Sequence, residues 1–321
     1  MKNDLAIGID IGGTNIKYGL VTRAGNILRS GNLKMKDFSR VEMMIDTLKK
    51  EIAPLLDELS KEYKLIGIGV GAPNGNYYTG NIEYAPNLTW TGIIPLRKLI
   101  NEAFAVSAAL TNDANAAAIG EMMYGAARGM KDFIVITLGT GVGSGIIANG
   151  KLILGYDGFA GELGHITVIR DGRLHPGTGL KGSLESYASA TGVVRTAKEL
   201  LESKSDPSLL RNIPDSEFDS KLIHEVALKG DKIALEVFQY TGMILGEALA
   251  NFIMFSSPEA IILFGGLTRA GALLMNPVKE HMEKNLLPIF QNKVKLIFSQ
   301  LNESDAAILG ASALVWDLNK N

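Results

Sequence analysis

Residues 5–20 read LAIGIDIGGTNIKYGL: an apolar run, a lone carboxylate at Asp10, the pair Gly12-Gly13 with Thr14, then a second apolar run. Leu5, Ile7 and Ile9 alternate with small or polar residues, and Ile16, Tyr18 and Leu20 do the same after the turn. A period of two on both sides of a tight turn predicts two antiparallel strands. Gly12 and Gly13 permit a positive φ and carry no side chain to block a ligand. With the Thr14 hydroxyl, their amides make a donor cluster suited to an anion. Asp10 repels bare phosphate. Its place beside that cluster makes sense if a divalent cation, carried in with a nucleotide, sits between them. A plain Gly-Gly hairpin has the same local pattern, so the rest of the chain must decide.

Outward from this hairpin, Ala24-Gly25-Asn26 marks another turn, and the opening predicts a three-stranded antiparallel meander. The arrangement recurs at residues 133–151, FIVITLGTGVGSGIIANGK. Gly139 stands where Gly12 did, Gly145 where Gly19 did, and Gly150 near where Gly25 did. The spacing drifts between 127 and 125 residues, so the repeat is structural rather than literal. Two such openings predict two lobes of related fold, and a phosphate chain held between two glycine turns is the economical reason for having both.

Between the two openings, apolar residues at three- and four-residue steps predict an amphipathic helix over 41–59, kinked or split at Pro54. A strand over 65–70 runs into the loop GAPNGN at 71–76, and a short helix over 96–104 follows. A strand over 106–111 ends in Asn112-Asp113 and passes into an alanine-rich helix over 114–127. Asp113 falls where an N-cap would lie. It is either that cap or a carboxylate fixed at a helix start and facing a cleft. Past the second opening, GYDGFAGELGH at 155–165 is too glycine-dense for core and carries Glu162 and His165 three residues apart. A helix opens at 182–185 and runs to 201, and 203–220 is a polar surface connection. Helices over 221–229 and 232–255 precede a strand over 260–264, which ends in Gly265-Gly266, a turn suited to the flat face of a base or sugar. A strand over 294–299 and a helix over 305–316 complete the chain. This order predicts an α/β fold with mixed sheets. The lobes are expected to be 1–113 plus about 303–321, and 114–302.

A net charge of −2 over 321 residues offers no electrostatic footprint for nucleic acid, though a compact anion needs only a few local donors. With no cysteine, disulfides and thiolate metal sites are excluded. Residues 233–255 are the only candidate for a membrane span, and Glu236, Gln239, Glu247 and Asn251 interrupt them, so they read as a buried helix. No charged leader with an apolar core opens the sequence. A soluble, cytoplasmic protein is expected.

Taken together, both glycine turns, Asn112-Asp113, GELGH and Gly265-Gly266 resemble the ROK family of sugar kinases and sugar-responsive repressors, collinearly over nearly the whole chain. Residues 138–165, LGTGVGSGIIANGKLILGYDGFAGELGH, resemble its signature. The resemblance implies a two-lobed actin/hexokinase-like (ribonuclease H-like) ATPase fold with mixed sheets and an interlobe cleft. It implies ATP and Mg²⁺ as cofactors, and transfer of the γ-phosphoryl group to the 6-hydroxyl of a hexose, glucose first. N-acetylmannosamine or another hexose or N-acetylhexosamine is the nearest alternative, and a non-catalytic sugar-binding regulator the next. The repressor branch carries an N-terminal winged helix, whereas here the first phosphate loop begins at residue 10, which favours the kinases.

By that resemblance, Asp10, Gly12, Gly13 and Thr14 match the first phosphate loop, with Asp10 on the magnesium side, directly or through water. Gly139, Thr140 and Gly141 match the second loop, and Gly265 and Gly266 the adenosine side. Asp113 matches the catalytic base, and Asn112, Glu162, His165 and Glu185 the sugar contacts; Gly75 is a weaker match on the sugar side. Partners are a small-molecule hexose and ATP, with no nucleic acid and no membrane, in a homodimer or homotetramer. The family's structural zinc, held by a histidine and three cysteines in a CxCGxxGC run, has no counterpart in Pro176-Gly177-Thr178-Gly179-Leu180-Lys181-Gly182-Ser183. No zinc is expected, and His175 is expected at the surface.

Overall fold

The structure is a computed structural model that describes residues 2–318, of which 303, 304, 317 and 318 are described by backbone alone. β1 (Asn3–Ile11), β2 (Asn15–Thr22) and β3 (Ile27–Lys34) form the antiparallel meander, with Ile9 opposite Tyr18 and Tyr18 opposite Gly31. α1 (Val41–Leu59) is one helix that runs through Pro54 rather than splitting there. Pro54 lies on the exposed side, as does Lys50, so water can satisfy the carbonyl that the proline ring deprives of a partner. β4 (Tyr63–Gly71), the short ribbon β5 (Ile82–Glu83) with β6 (Ile93–Ile94), α2 (Leu96–Phe104), β7 (Ala108–Thr111) and α3 (Asp113–Tyr124) follow. The sheet order is β3-β2-β1-β4-β7, with β1, β4 and β7 parallel.

The second sheet has the order β10-β9-β8-β11-β12, built from β8 (Phe133–Leu138), β9 (Val142–Ala148), β10 (Lys151–Leu152), β11 (Ala260–Phe264) and β12 (Lys295–Phe298). The helix expected from 182–185 to 201 is two, α4 (Glu185–Ala188) and α5 (Ala190–Ser203), broken where Ser189 turns extended and its hydroxyl accepts the Gly192 N–H. α6 (Ser220–Leu228) and α7 (Lys232–Ser256) follow. α8 (Ala272–Lys284) is absent from the sequence expectation because Pro277 interrupts a mostly polar stretch. It packs on α7 across Gly242 and Gly246; a Cβ on Gly246 would stand 2.5 Å from the Val278 carbonyl oxygen. Among the described residues, no helix is long and apolar enough to cross a membrane. The chain closes with α9 (Glu303–Leu318).

The chain falls into two compact units. One holds the residues up to Met130, Gly145–Gly161 and those from Gln300 onward; the other holds Lys131–Ser144 and Glu162–Ser299. In the first, Leu5, Ile7 and Ile9 of β1 pack with Met44, Leu48 and Ile52 of α1 and Ile100 of α2. The opposite face belongs to α9, and Ala6 clusters with Ala313 and Val315. Each such aliphatic side chain contributes about 1.5–3 kcal/mol when fully buried. The close fit of α9 depends on missing side chains. A Cβ on Gly8 would stand 2.1 Å from the Ile308 carbonyl oxygen, and one on Gly69 only 1.8 Å from that of Ala311. α3 joins the same unit through its contact with α9 at Gly120 and Gly310. The chain therefore passes into the second unit after Met130, later than the Asp113 boundary drawn from sequence.

Candidate active site

In the first unit the carboxyl ends of three parallel strands bring the site residues together. Asp10 lies opposite Gly71, and Gly71 opposite Thr111, so Asp10 and Asn112-Asp113 emerge from neighbouring strand ends. Ligands of open α/β sheets characteristically bind at that edge. The Gly12–Thr14 turn is closed by the Gly12 N–H donating to the Asn15 carbonyl at 2.9 Å, and Thr14 is tied down by Met35 N–H at 3.0 Å. Neither Gly12 nor Gly13 uses the positive φ that glycine permits. Gly13 is required for space instead: a Cβ there would lie 2.6 Å from the Asn87 carbonyl oxygen. Gly75 is likewise pressed against the backbone of Thr111, the residue before Asn112.

Asn112, not Asp113, is the N-cap of α3. Its backbone is extended and its Oδ1 accepts the Ala114 N–H at 2.9 Å. Asp113 is the first helical residue and its Oδ1 shares that same N–H at 2.8 Å. The two side chains thus share the Ala114 N–H, and the other oxygen of Asp113 is not held by that bond. Asp113 is solvent-accessible as a residue, yet protein crowds its carboxyl at longer range. The loss of bulk water pushes its ionisation up, and the bond from Ala114 pulls the other way. Burial also pushes Asp10 up, to about 7, reinforced by the negative charge of Asp113 and opposed by Lys17 across the hairpin. Two desolvated carboxylates with one lysine near them suit a divalent cation, which would relieve both costs.

The second unit assembles the remaining residues, again at strand ends. β8 leads into Gly139–Gly141 and β11 into Gly265–Gly266, and Phe264 lies opposite Thr137. Gly265 has φ 108° and ψ 175°, a conformation open only to glycine, and is wedged against the backbone of Leu138. The second turn is braced by the start of α5. Ala190 N–H donates to the Gly139 carbonyl at 2.8 Å, and the Thr191 hydroxyl to that of Thr140 at 3.0 Å. Residues 163–165 form a 3-10 turn docked on β9, where Leu163 N–H reaches the Ser144 hydroxyl at 3.3 Å. Glu162 is exposed, with Oε2 at 3.7 Å from His165 Nε2. Glu185 is largely buried, and its Oε2 accepts the Val142 N–H at 2.7 Å.

Two residues of this unit escaped the sequence reading. His175 is not at the surface: its Nε2 lies 2.7 Å from Glu185 Oε1, and its ring meets that of His165 edge-on at 6.0 Å. Arg173 is buried and fastens the 166–183 loop. Its guanidinium donates to Glu199, to the carbonyls of Ser186 and Gly192 and to the Thr196 hydroxyl, and it stacks on Tyr187 at 4.4 Å. A lone histidine and a lone arginine in a glycine-rich loop carry no spacing signal. The absence of cysteines there was the one hint that something else must hold the loop.

Residues 6–317 match the ROK family, and the chain belongs to it. The glucokinase of Halalkalibacterium halodurans is 38% identical over 322 residues, spanning 98% of this chain and 96% of that protein. That of Thermotoga maritima is 33% identical and spans 96% of each. Among solved structures, a ROK family glucokinase from Streptomyces griseus in complex with glucose and AMPPNP superposes with a TM-score of 0.80 at 32% identity, covering 98% of this chain and 99% of that one.

The donors present do not suit the family's structural zinc. His165 Nδ1 is buried without a hydrogen-bond partner. The three cysteine positions, however, hold Pro176, Thr178 and Ser183, and both ring nitrogens of His175 are engaged. Among the described residues no three His, Cys, Asp or Glu side chains are placed to hold a metal ion together.

Proposed function

We propose that this chain is an ATP-dependent glucokinase that transfers the γ-phosphoryl group of ATP to the 6-hydroxyl of glucose. The observation that carries the proposal is the Asp10–Asp113 pair at the strand ends of the first unit, within a chain whose full-length relatives are glucokinases. Asp113 takes the proton of the attacking hydroxyl. A carboxyl raised by desolvation and held by the Ala114 N–H at the start of a helix is well matched to that task. Gly12–Thr14 and Gly139–Gly141 hold phosphate oxygens with backbone donors, and Gly265–Gly266 accommodates the adenosine. Magnesium, when bound beside Asp10, supplies positive charge to the phosphate oxygens. Glu162, His165, Glu185 and Asn112 bind the sugar hydroxyls. The Asn112 Oδ1 is used in capping, which leaves its amide N–H groups as donors. Gly75 supports Asn112 through the Thr111 backbone.

The poor donor set for zinc supports a zinc-free protein whose sugar-side loop is held by Arg173. A cytoplasmic location and a homodimeric or homotetrameric state belong to the same proposal and rest on the family resemblance. A coupled assay with ATP and a panel of hexoses and N-acetylhexosamines tests it. Glucose should give the highest kcat/KM. A higher value with N-acetylmannosamine would reassign the substrate, and no turnover with any sugar would refute the enzyme.

A further inference from the structure

His175 makes a contact that nothing in the proposed chemistry assigns. Its Nδ1 accepts the Thr178 N–H at 3.1 Å and lies 3.0 Å from the Thr178 hydroxyl. An accepting Nδ1 carries no proton, so this hydrogen-bond geometry assigns the ring proton to Nε2. Nε2–H then donates to Glu185 Oε1 at 2.7 Å, while Glu185 Oε2 accepts the Val142 N–H. Both carboxylate oxygens are therefore held from the protein side. Each keeps a second lone pair for a hydroxyl. The histidine is itself fixed by its own short loop, through its N–H to the Leu180 carbonyl at 2.8 Å and the Gly179 N–H to its carbonyl at 2.9 Å.

We propose that His175 is a positioning residue that pre-orients Glu185 for the sugar, and so performs in this chain an ordering task on the sugar-side loop without metal. This rests on the reading of Glu185 as a sugar contact. A carboxylate already fixed in its binding rotamer loses no freedom when the sugar arrives, and releasing it weakens binding by about three- to tenfold, the ordering cost of one side chain. The contact is made equally in ground and transition states, so the loss belongs in the glucose KM and not in kcat.

Two variants separate the two ends of the imidazole. His175→Asn keeps an acceptor near Nδ1 for Thr178 and removes the donor to Glu185. His175→Gln keeps a donor near Nε2 and removes the acceptor. His175→Asn should raise the glucose KM about three- to tenfold, with kcat and the ATP KM within twofold of wild type. His175→Gln should restore the glucose KM, and any loss should appear in thermal stability instead. A glucose KM within twofold of wild type in His175→Asn, or an equal rise in both variants, overturns the proposal. Glu185→Ala is measured alongside. If it leaves the glucose KM unchanged, the premise about Glu185 fails and the proposal with it. If it raises the glucose KM while His175→Asn does not, only the positioning role fails. Histidine-selective ¹H–¹⁵N spectra of the wild type give a check without any variant. A protonated Nε2 and bare Nδ1 at His175 are expected, and a proton on Nδ1 refutes the geometry.

Discussion

Replacing Asp10 by asparagine should stabilise the ligand-free protein while removing its activity, and the size of the gain should depend on pH in a defined way. Asp10 ionises at about 7 in the folded chain against 3.8 for an ordinary aspartate, through burial first and the charge of Asp113 second. Below about pH 4 the group is protonated in both folded and unfolded chains and costs nothing. Between about pH 4 and 7 the unfolded chain releases its proton and the folded chain keeps it, so stability falls as pH rises. Above pH 7 the full cost is present. Roughly three pH units at about 1.4 kcal/mol each set an upper limit of about 4 kcal/mol. Asp10 is only partly shielded from solvent, so about 2–4 kcal/mol is expected at pH 8 and under about 2 kcal/mol at pH 5. Asparagine has the same shape and no charge to desolvate. Thermal unfolding of both proteins without nucleotide, at pH 5, 6, 7 and 8, measures the difference. The variant should melt roughly 3–6 °C higher at pH 8, with the gap narrowing steadily towards pH 5. A gap that is absent, or that stays constant with pH, would refute the picture of a carboxylate held at a cost for cation and phosphate. Since Asp113 contributes to the displacement, adding Asp113→Asn should give less than the sum of the two gains.

Other consequences concern the remaining site residues. Asp113→Asn should lower kcat by several orders of magnitude with glucose binding, read by calorimetry, nearly unchanged; near-normal turnover would exclude Asp113 as the base. Gly141→Ala would place a Cβ 2.2 Å from Glu185 Oε2, so Glu185 must move and the glucose KM should rise at least tenfold, as steady-state kinetics would show. Arg173→Ala removes a donor from the Ser186 and Gly192 carbonyls and from Glu199, and should cost about 2–3 kcal/mol in urea unfolding, whereas a loss under about 1 kcal/mol would mean the loop is held otherwise.

Strand and helix existence was legible in the sequence wherever the apolar period was regular. The opening meander, α2, β11 and the buried helix α7 lie where periodicity put them, because those patterns report a local geometry. α8 was not legible, since its single apolar stripe and Pro277 gave little local signal and its stability comes from packing on α7 at Gly242 and Gly246. The break at Ser189 was hidden for a related reason: either a continuous helix or a new cap suits the local residues, and the second glycine turn's bond to Ala190 chooses between them.

By itself the sequence determined the chemistry available: the carboxylates at 10, 113, 162 and 185, the two glycine turns, and a loop with no thiolate. Those are choices of residue type, fixed without reference to folding. The tertiary structure decided what each type does. It put Asn112 at the cap of α3 and Asp113 in its first turn, because only the fold brings both side chains onto the Ala114 N–H. It made Gly13 and Gly141 a matter of space rather than of φ, because the neighbours that crowd them, Asn87 and Glu185, are distant in the chain. It also turned Asp10 from an ordinary acid into one ionising at about 7, since desolvation and the proximity of Asp113 exist only after the strand ends are aligned.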